Sequence, residues 1–395
     1  MIKRENILEQ ISAHTDCESD PERVSDAEAG SIEGPPCKGI EEAVKVLSDI
    51  NTSLGADDQI ICKVQQVQFR KYKEYTAGIF RIELLKQQDE LSSTGHAIIA
   101  KGIHHHNEKI PHEVRILSDL SIQSSKNPLN PPKLLHVSIY NNIVWIFMEE
   151  ITRAKLSVNW NDEDVMRAGF VLGRFNGYFS GDNLAGLMWA DTGYLKHYLQ
   201  GGRMHPSPLT ETLYLAAKAG YHSASVAVEA LDKVVSNYSF YENWLLLQPI
   251  CLSHNDPTLD NIFLQSSGKP PRAIDWESCT LCPLGFDPVY PLWGSIITGS
   301  LSVNEEALMQ GYIAGLKDVG FYVYDFVDMV FSFHVVLRAL NHKGFRQQWD
   351  FVRLEGTPRP ALMFGCWWAL EATTLFVAKH AKRLVKALKE DRLTA

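Results

Sequence analysis

The sequence predicts an α+β protein whose β-rich first part gives way to a larger helical part. Two observations carry this. Between residues 59 and 148 the apolar residues come in short β-branched and aromatic runs separated by polar turns, as in QIICKVQQVQF, AGIFRIELL, HAIIAK and IVWIFM. From Asn159 onward they recur every three or four residues, as in VMRAGFVLGRFNGYF and EEALMQGYIAGLKDVG, the spacing of helices with one buried face. A third stretch fits neither pattern: CLSHNDPTLDNIFLQSSGKPPRAIDWE, residues 251–277, is an apolar entry, a polar loop and a hairpin that ends in a carboxylate.

That stretch holds the candidate chemistry. Phosphoryl transfer asks a protein to position a hydroxyl, hold metal ions and neutralise charge building on phosphate oxygens. Asp256 can accept the hydroxyl proton, and His254, two residues earlier, can brace the loop; these are the candidate catalytic residues. Asn261 offers a neutral carbonyl oxygen and Asp275 an anionic one, the hard ligands that Mg²⁺ prefers. A loop of Asp and Asn can also do no more than cap a turn. The apolar run leading to a second carboxylate at Asp275 favours the chemical reading.

HNDPTLDNIF followed by AIDWE resembles the signature of the aminoglycoside phosphotransferase and choline kinase group, small-molecule kinases that share the protein-kinase-like fold. Asn255 stands where that group often has Gly or Arg, and Trp276-Glu277 stands where protein kinases have Phe-Gly. The resemblance implies a bilobal protein-kinase-like fold with ATP in the cleft between a small β-rich lobe and a larger, mainly helical one. It implies ATP and Mg²⁺ as cofactors and a small-molecule hydroxyl, such as an antibiotic, amino alcohol or sugar-like metabolite, as acceptor. It further implies that GFDPVYPLWGS is the group's Gly-x-Asp-Pro stretch, with Asp287 anchoring the loop.

Taken in order, residues 1–38 are acidic, polar and rich in Pro, Gly and Ser, which predicts a mobile or loosely ordered extension. Residues 39–150 are the expected nucleotide-binding lobe. Ile40, Val44, Leu47 and Ile50 predict a helix stopped by Gly55, ahead of the first two strands. No G-x-G-x-x-G is present; only Gly78 is available for a phosphate-covering hairpin. The run His96–Lys101 is expected to end as a strand on Lys101, in the place of the lysine that holds the α- and β-phosphates. Glu113, near the start of an amphipathic helix, is its expected partner. His104, His105 and His106 between them are expected in a solvated loop. Leu134–Val137 and Ile143–Met148 form a second hairpin, and Glu149 and Ile151 at its exit are the expected backbone contacts to adenine.

Residues 151–395 are the expected catalytic and substrate-binding lobe. Asn161 or Asp162 caps its first helix. Further helices are expected near 209–219, 223–237, 305–320, 325–341 and 360–390. Trp293, Trp349, Trp367 and Trp368 belong by type to a helical core, although aromatics can also hold a cationic substrate. Trp349-Asp350 is the first pair to inspect for substrate contact, in a polar segment between helices.

The net charge of −9 argues against nucleic acid as a partner, and no run of about 18 apolar residues suggests a membrane span. A cytoplasmic monomer or homodimer is expected. Seven scattered cysteines point to free thiols, and Cys279 with Cys282 lacks a second pair for zinc. The competing class is a kinase-like nucleotide-binding regulator with weak or no turnover. The presence of Asp256, Asn261 and Asp275 together counts against it.

Overall fold

A computed structural model describes residues 34–50, 60–68, 76–86, 93–104, 111–122, 127–184, 187, 192–203, 207–266, 269–298, 303–322, 326–355, 367–390 and 392–393. The predicted extension, apart from residues 34–38, lies outside this set. The fold is α+β, and the chain divides into two compact units. One holds residues 1–125 and 130–152, the other residues 126–129 and 153–395.

The first unit is built on a five-stranded antiparallel sheet in the order β1-β2-β3-β5-β4. Its strands are β1 (Ile60–Gln68), β2 (Thr76–Lys86), β3 (Ser93–His104), β4 (Leu134–Tyr140) and β5 (Ile143–Glu149). Period-two patterning buries Phe80, Ile82 and Leu84 on one face of β2, while Ile79, Arg81 and Glu83 stay partly exposed. Helix α1 (Cys37–Ile50) sets Ile40, Ala43 and Leu47 into a core with those residues, Ile98, Ala100, Trp145 and Phe147. The β4–β5 hairpin turns on Asn141 and Asn142, both left-handed at φ 50° and 57°. A two-residue hairpin turn of this hand favours asparagine. Helix α2 (His112–Ile122) carries Glu113 in its first turn.

β3 does not stop at Lys101. It continues to His104, which pairs with Ile143 of β5. A Cβ on Gly102 would sit 3.1 Å from both Ile143 and Trp145, so the bare glycine lets the ladder run on beneath these side chains. His104 is therefore a strand residue rather than part of a loop; His105 and His106 lie outside the described residues.

In the second unit, α3 (Asp162–Tyr178) begins at Asn161, whose side chain accepts from the Asp164 N–H while Asp164 reaches back to the Asn161 N–H. This reciprocal cap satisfies two otherwise orphan donors. α9 (Glu305–Asp318) packs on α3 with backbones in direct contact. A Cβ on Gly169 or Gly173 would overlap the carbonyls of Leu308 or Tyr312, and one on Gly311 or Gly315 those of Met166 or Phe170. Glycine at i and i+4 on both helices is what permits this approach.

The other helices of this unit are α4 (Gly193–Gly202), α5 (Pro208–Lys218), α6 (His222–Ser236), α7 (Tyr238–Leu246), α8 (Val289–Thr298), α10 (Phe326–Asn341), α11 (Lys343–Glu355) and α12 (Trp367–Lys389). The segment expected as a connection around Trp349-Asp350 is the helix α11. Trp349 is fully buried and donates to Thr374 Oγ1 at 2.9 Å, and Asp350 accepts from Thr212 Oγ1 at 3.0 Å. The pair ties helices together. Trp293 is likewise core, and the side chains of Trp367 and Trp368 lie outside the described residues. Among the described residues no helix is long and apolar enough to cross a membrane. Cys251, Cys279 and Cys282 are free, buried thiols, and burial pushes all three up, leaving them protonated and inert.

Candidate active site

The loop 254–261 is launched by β6 (Ile250–Ser253), which pairs with β9 (Thr280–Pro283) in the register Cys251 opposite Cys282. One carboxylate holds its start. Asp287 accepts from the backbone N–H of His254 and of Asn255, each at 3.0 Å, and from Asn176 Nδ2 at 2.8 Å. Asn176, on α3, also donates to the Leu252 carbonyl at 2.8 Å. Its own Oδ1 accepts from Tyr312 on α9 at 2.8 Å. The Tyr312 oxygen in turn accepts the Gly285 N–H at 3.0 Å. The glycine-to-glycine helix pair thus supplies the two side chains that lock the loop's anchor. Asp287 is fully buried; burial pushes its carboxyl up to about 6 while the donors hold it down, so it remains ionised at neutral pH.

His254 is also fully buried. Its Nδ1 accepts the Asp256 N–H at 3.3 Å, so Nε2, 2.9 Å from the Ile274 carbonyl, carries the proton and donates. Burial pushes the imidazole down to about 4, and its ring packs 4.5 Å from that of Trp276. His254 is a neutral brace between the loop and the far arm of the hairpin.

Asn255, at φ 61°, turns the chain sharply so that Asp256 projects from the anchored segment. Asn261 closes the loop: its Nδ2 donates to the Asp256 carbonyl at 2.8 Å and to Asp256 Oδ2 at 3.1 Å. Burial pushes the Asp256 carboxyl up to about 7, with the neighbouring charge of Asp275 adding to it and that of Arg338 opposing it. The two-residue strands β7 (Ile262–Phe263) and β8 (Arg272–Ala273) pair, and the Ile274 N–H donates to the Asn261 carbonyl at 3.0 Å. This hairpin returns the chain to the loop, so that Asp275 follows directly on the backbone bond between Ile274 and Asn261. Asp275 is itself left-handed at φ 63°. A non-glycine residue held in that region stores strain of order 1–3 kcal/mol, a feature concentrated at functional sites.

A hard divalent cation takes oxygen donors. With its amide nitrogen committed to Asp256, Asn261 has its carbonyl oxygen to offer, and Asp275 adds a partly exposed carboxylate. The donor set fits Mg²⁺.

In the first unit, Lys101 Nζ lies 2.6 Å from Glu113 Oε2, and both residues are buried, 7% and 2% exposed. Lys101 is interior to β3, opposite Ile79 of β2 and Ile146 of β5. Glu149 lies at the end of β5, where its N–H donates to the Lys133 carbonyl at 3.1 Å and its carboxylate accepts the Lys133 N–H at 3.0 Å. Its N–H is therefore committed to the chain's own backbone. Ile151, two residues on, is 8% exposed.

The structure thus brings His254, Asp256, Asn261 and Asp275 into one hydrogen-bonded loop and hairpin, and Lys101 with Glu113 into one ion pair. Sequence reasoning passed over Asn176, Tyr312 and Arg338. A signal existed for the first: Asn176 lies on the apolar face of its helix, beside Leu172 and Phe175. An amide there needs buried partners. Nothing in the sequence connects Arg338 to Asp256.

No protein-family model matches the chain, and no curated protein matches it. Its fold is similar to solved structures. One is a spectinomycin phosphotransferase in complex with ADP and spectinomycin, at 13% identity and a TM-score of 0.44, covering 80% of this chain and 93% of that one. A choline kinase from Cryptosporidium parvum gives 12% identity and 0.45, covering 84% and 91%. A Plasmodium vivax ethanolamine kinase gives 12% and 0.41, covering 80% and 82%. These three are a spectinomycin phosphotransferase, a choline kinase and an ethanolamine kinase.

Proposed function

We propose that this chain is an ATP- and Mg²⁺-dependent phosphotransferase acting on a hydroxyl of a small molecule, with Asp256 as general base. The observation that carries the reading is the Asp256 carboxyl itself. It is pushed up to about 7 by burial and by Asp275, and oriented by Asn261 Nδ2 at 3.1 Å. A base that changes charge near neutral pH is suited to take a hydroxyl proton and release it again. His254 is a positioning residue, holding the Asp256 N–H and the Ile274 carbonyl through its two ring nitrogens.

Asn261 and Asp275 would hold the metal, which when bound neutralises charge on the phosphate oxygens. Lys101, fixed by Glu113, would hold the α- and β-phosphates, and the backbone of Glu149 and Ile151 would meet adenine. The buried free thiols Cys251, Cys279 and Cys282 suit a reducing compartment, and we place the protein in the cytoplasm.

ATP consumption should be screened with aminoglycosides, choline, ethanolamine, sugars and amino alcohols, alongside the Asp256→Asn variant. Acceptor-dependent turnover lost in that variant is the expected outcome. Tight ATP binding with no turnover on any acceptor would instead favour a nucleotide-binding regulator.

A further inference from the structure

Among the described residues, cations gather in a groove of about 230 Å³ between α6 and α12. It is lined by Lys233, Lys382, Lys386 and Lys389, with Glu229 as its acidic member and Ala230 and Val385 as its apolar ones. Three of these lysines continue a stripe. Lys379, Lys382, Lys386 and Lys389 follow at intervals of three, four and three residues, all exposed. That spacing puts them on one face of α12 along about 15 Å, at 1.5 Å per residue.

The opposite face of the helix needs none of them. Leu370, Val377, Ala381, Leu384 and Ala387 are buried there and hold α12 in the core. A lysine-rich last turn is ordinary, since it complements the helix dipole, but that effect fades within a turn and the stripe spans nearly three. The field in the groove is visible on the molecule's own anion. The Glu229 carboxyl is held below the usual range by its hydrogen bond with Lys233, at 2.5 Å, with Lys382 and Lys389 adding to the effect. Lys379 pairs with Glu305, Lys386 with Glu390 and Lys233 with Glu229, yet the groove's four lysines outnumber its one lining carboxylate on a chain whose net charge is −9.

We propose that this groove docks an extended acidic peptide segment of a partner protein. Its carboxylates would lie on Lys233, Lys382, Lys386 and Lys389, and an apolar side chain on Ala230 and Val385. The length fits: about three extended residues, at about 3.3 Å each, span the roughly 10 Å from Lys382 to Lys389. The shape fits as well, because the cations form a row beside a concave apolar floor instead of converging on one point, as they would around a single phosphate. A membrane-seeking helix would also present large apolar side chains on a free face; here the apolar face of α12 is in the core. The inference is independent of the phosphotransfer reading.

The test is fluorescence anisotropy of a labelled hexapeptide of mixed glutamate and leucine, titrated with the full chain. Saturable binding should weaken about tenfold or more between low and physiological salt, as exposed charge pairs do. Lys382→Glu with Lys389→Glu should weaken it by a further tenfold or more, Lys→Arg at both positions should retain it, and serine in place of leucine in the peptide should lower it. Melting temperatures check folding; if the charge reversal destabilises, Lys→Gln at both positions replaces it. Peptide binding that ignores salt or the double variant overturns the proposal. So does failure of the peptide to bind while tripolyphosphate, or vesicles containing phosphatidylserine, bind in a way the same variant abolishes.

Discussion

Two halves of one loop treat the same chemical group in opposite ways. The anchoring half gives Asp287 three donors, the N–H groups of His254 and Asn255 and the amide of Asn176. The projecting half gives Asp256 the Asn261 amide and sets Asp275 nearby. Burial opposes ionisation of both, yet Asp287 stays a carboxylate at neutral pH while Asp256 is poised to change charge. Three donors on Asp287, against one amide and a neighbouring carboxylate beside Asp256, go with this difference.

The strongest way to break this comparison is at the second carboxylate of the projecting half. Asp275→Ala should remove nearly all acceptor-dependent turnover. It should also weaken Mg²⁺-dependent binding of a fluorescent ADP analogue by at least the roughly 10–100-fold that losing even an outer metal partner costs. Unchanged binding with and without Mg²⁺ would remove Asp275 from the metal. Asp256→Asn keeps the shape and deletes the negative charge, so turnover should fall roughly 10²–10⁴-fold with nucleotide affinity and melting temperature nearly unchanged. A variant that melts early but turns over normally would make Asp256 a second anchor.

The anchoring half should respond in stability instead. Gly173→Ala places a methyl against the Tyr312 carbonyl, and forcing the two helices apart should cost about 1–3 kcal/mol or more, read from the urea midpoint. Tyr312→Phe removes the hydroxyl that serves Asn176 Oδ1 and the Gly285 N–H. Leaving these buried groups unsatisfied should cost about 1–3 kcal/mol, with turnover of the folded protein largely kept. If Tyr312→Phe instead abolishes turnover without loss of stability, the two halves are not separable.

The smallest effect sharpens the contrast. Burial opposes the charge on Glu305, but His380, 3.4 Å away, and Lys379, hydrogen-bonded to it at 2.5 Å, outweigh it and hold the carboxyl down at about 2. Its folded pKa lies below the unfolded value, so its contribution is present above about pH 4.5 and lost as pH falls toward 2. The melting temperature of Glu305→Gln should therefore converge with that of the unmodified protein over that window. A gap that widens on acidification would refute the assignment.

Much of the fold was legible because its cause is local. β-Branched and aromatic runs between polar turns marked β1 to β5, and apolar recurrence at three and four residues marked α3 and α9. Asn161 and the Asn141-Asn142 turn act through their own backbone. The loop was legible for the same reason, since residues 254 to 275 fold back on one another through a single hairpin. Reading failed where neighbours in space are far apart in sequence. Lys101 was placed at a strand end, but Ile143 and Trp145 across the ladder carry β3 on to His104. The polar look of residues 343–355 hid a helix whose Trp349 and Asp350 face partners 25 and 138 residues away.

Residue order alone sets out the proposed roles, a brace, a base and two metal ligands, because their spacing needs only a turn and a hairpin. Tertiary structure alone decided their states. Asp256 is near neutral pKa because burial and Asp275 surround it, and the loop is fixed because Asn176 meets Asp287 across 111 residues and Tyr312 meets Asn176 across 136. Ionisation and rigidity depend on how much water is removed and which donors replace it, and only the packed chain sets those.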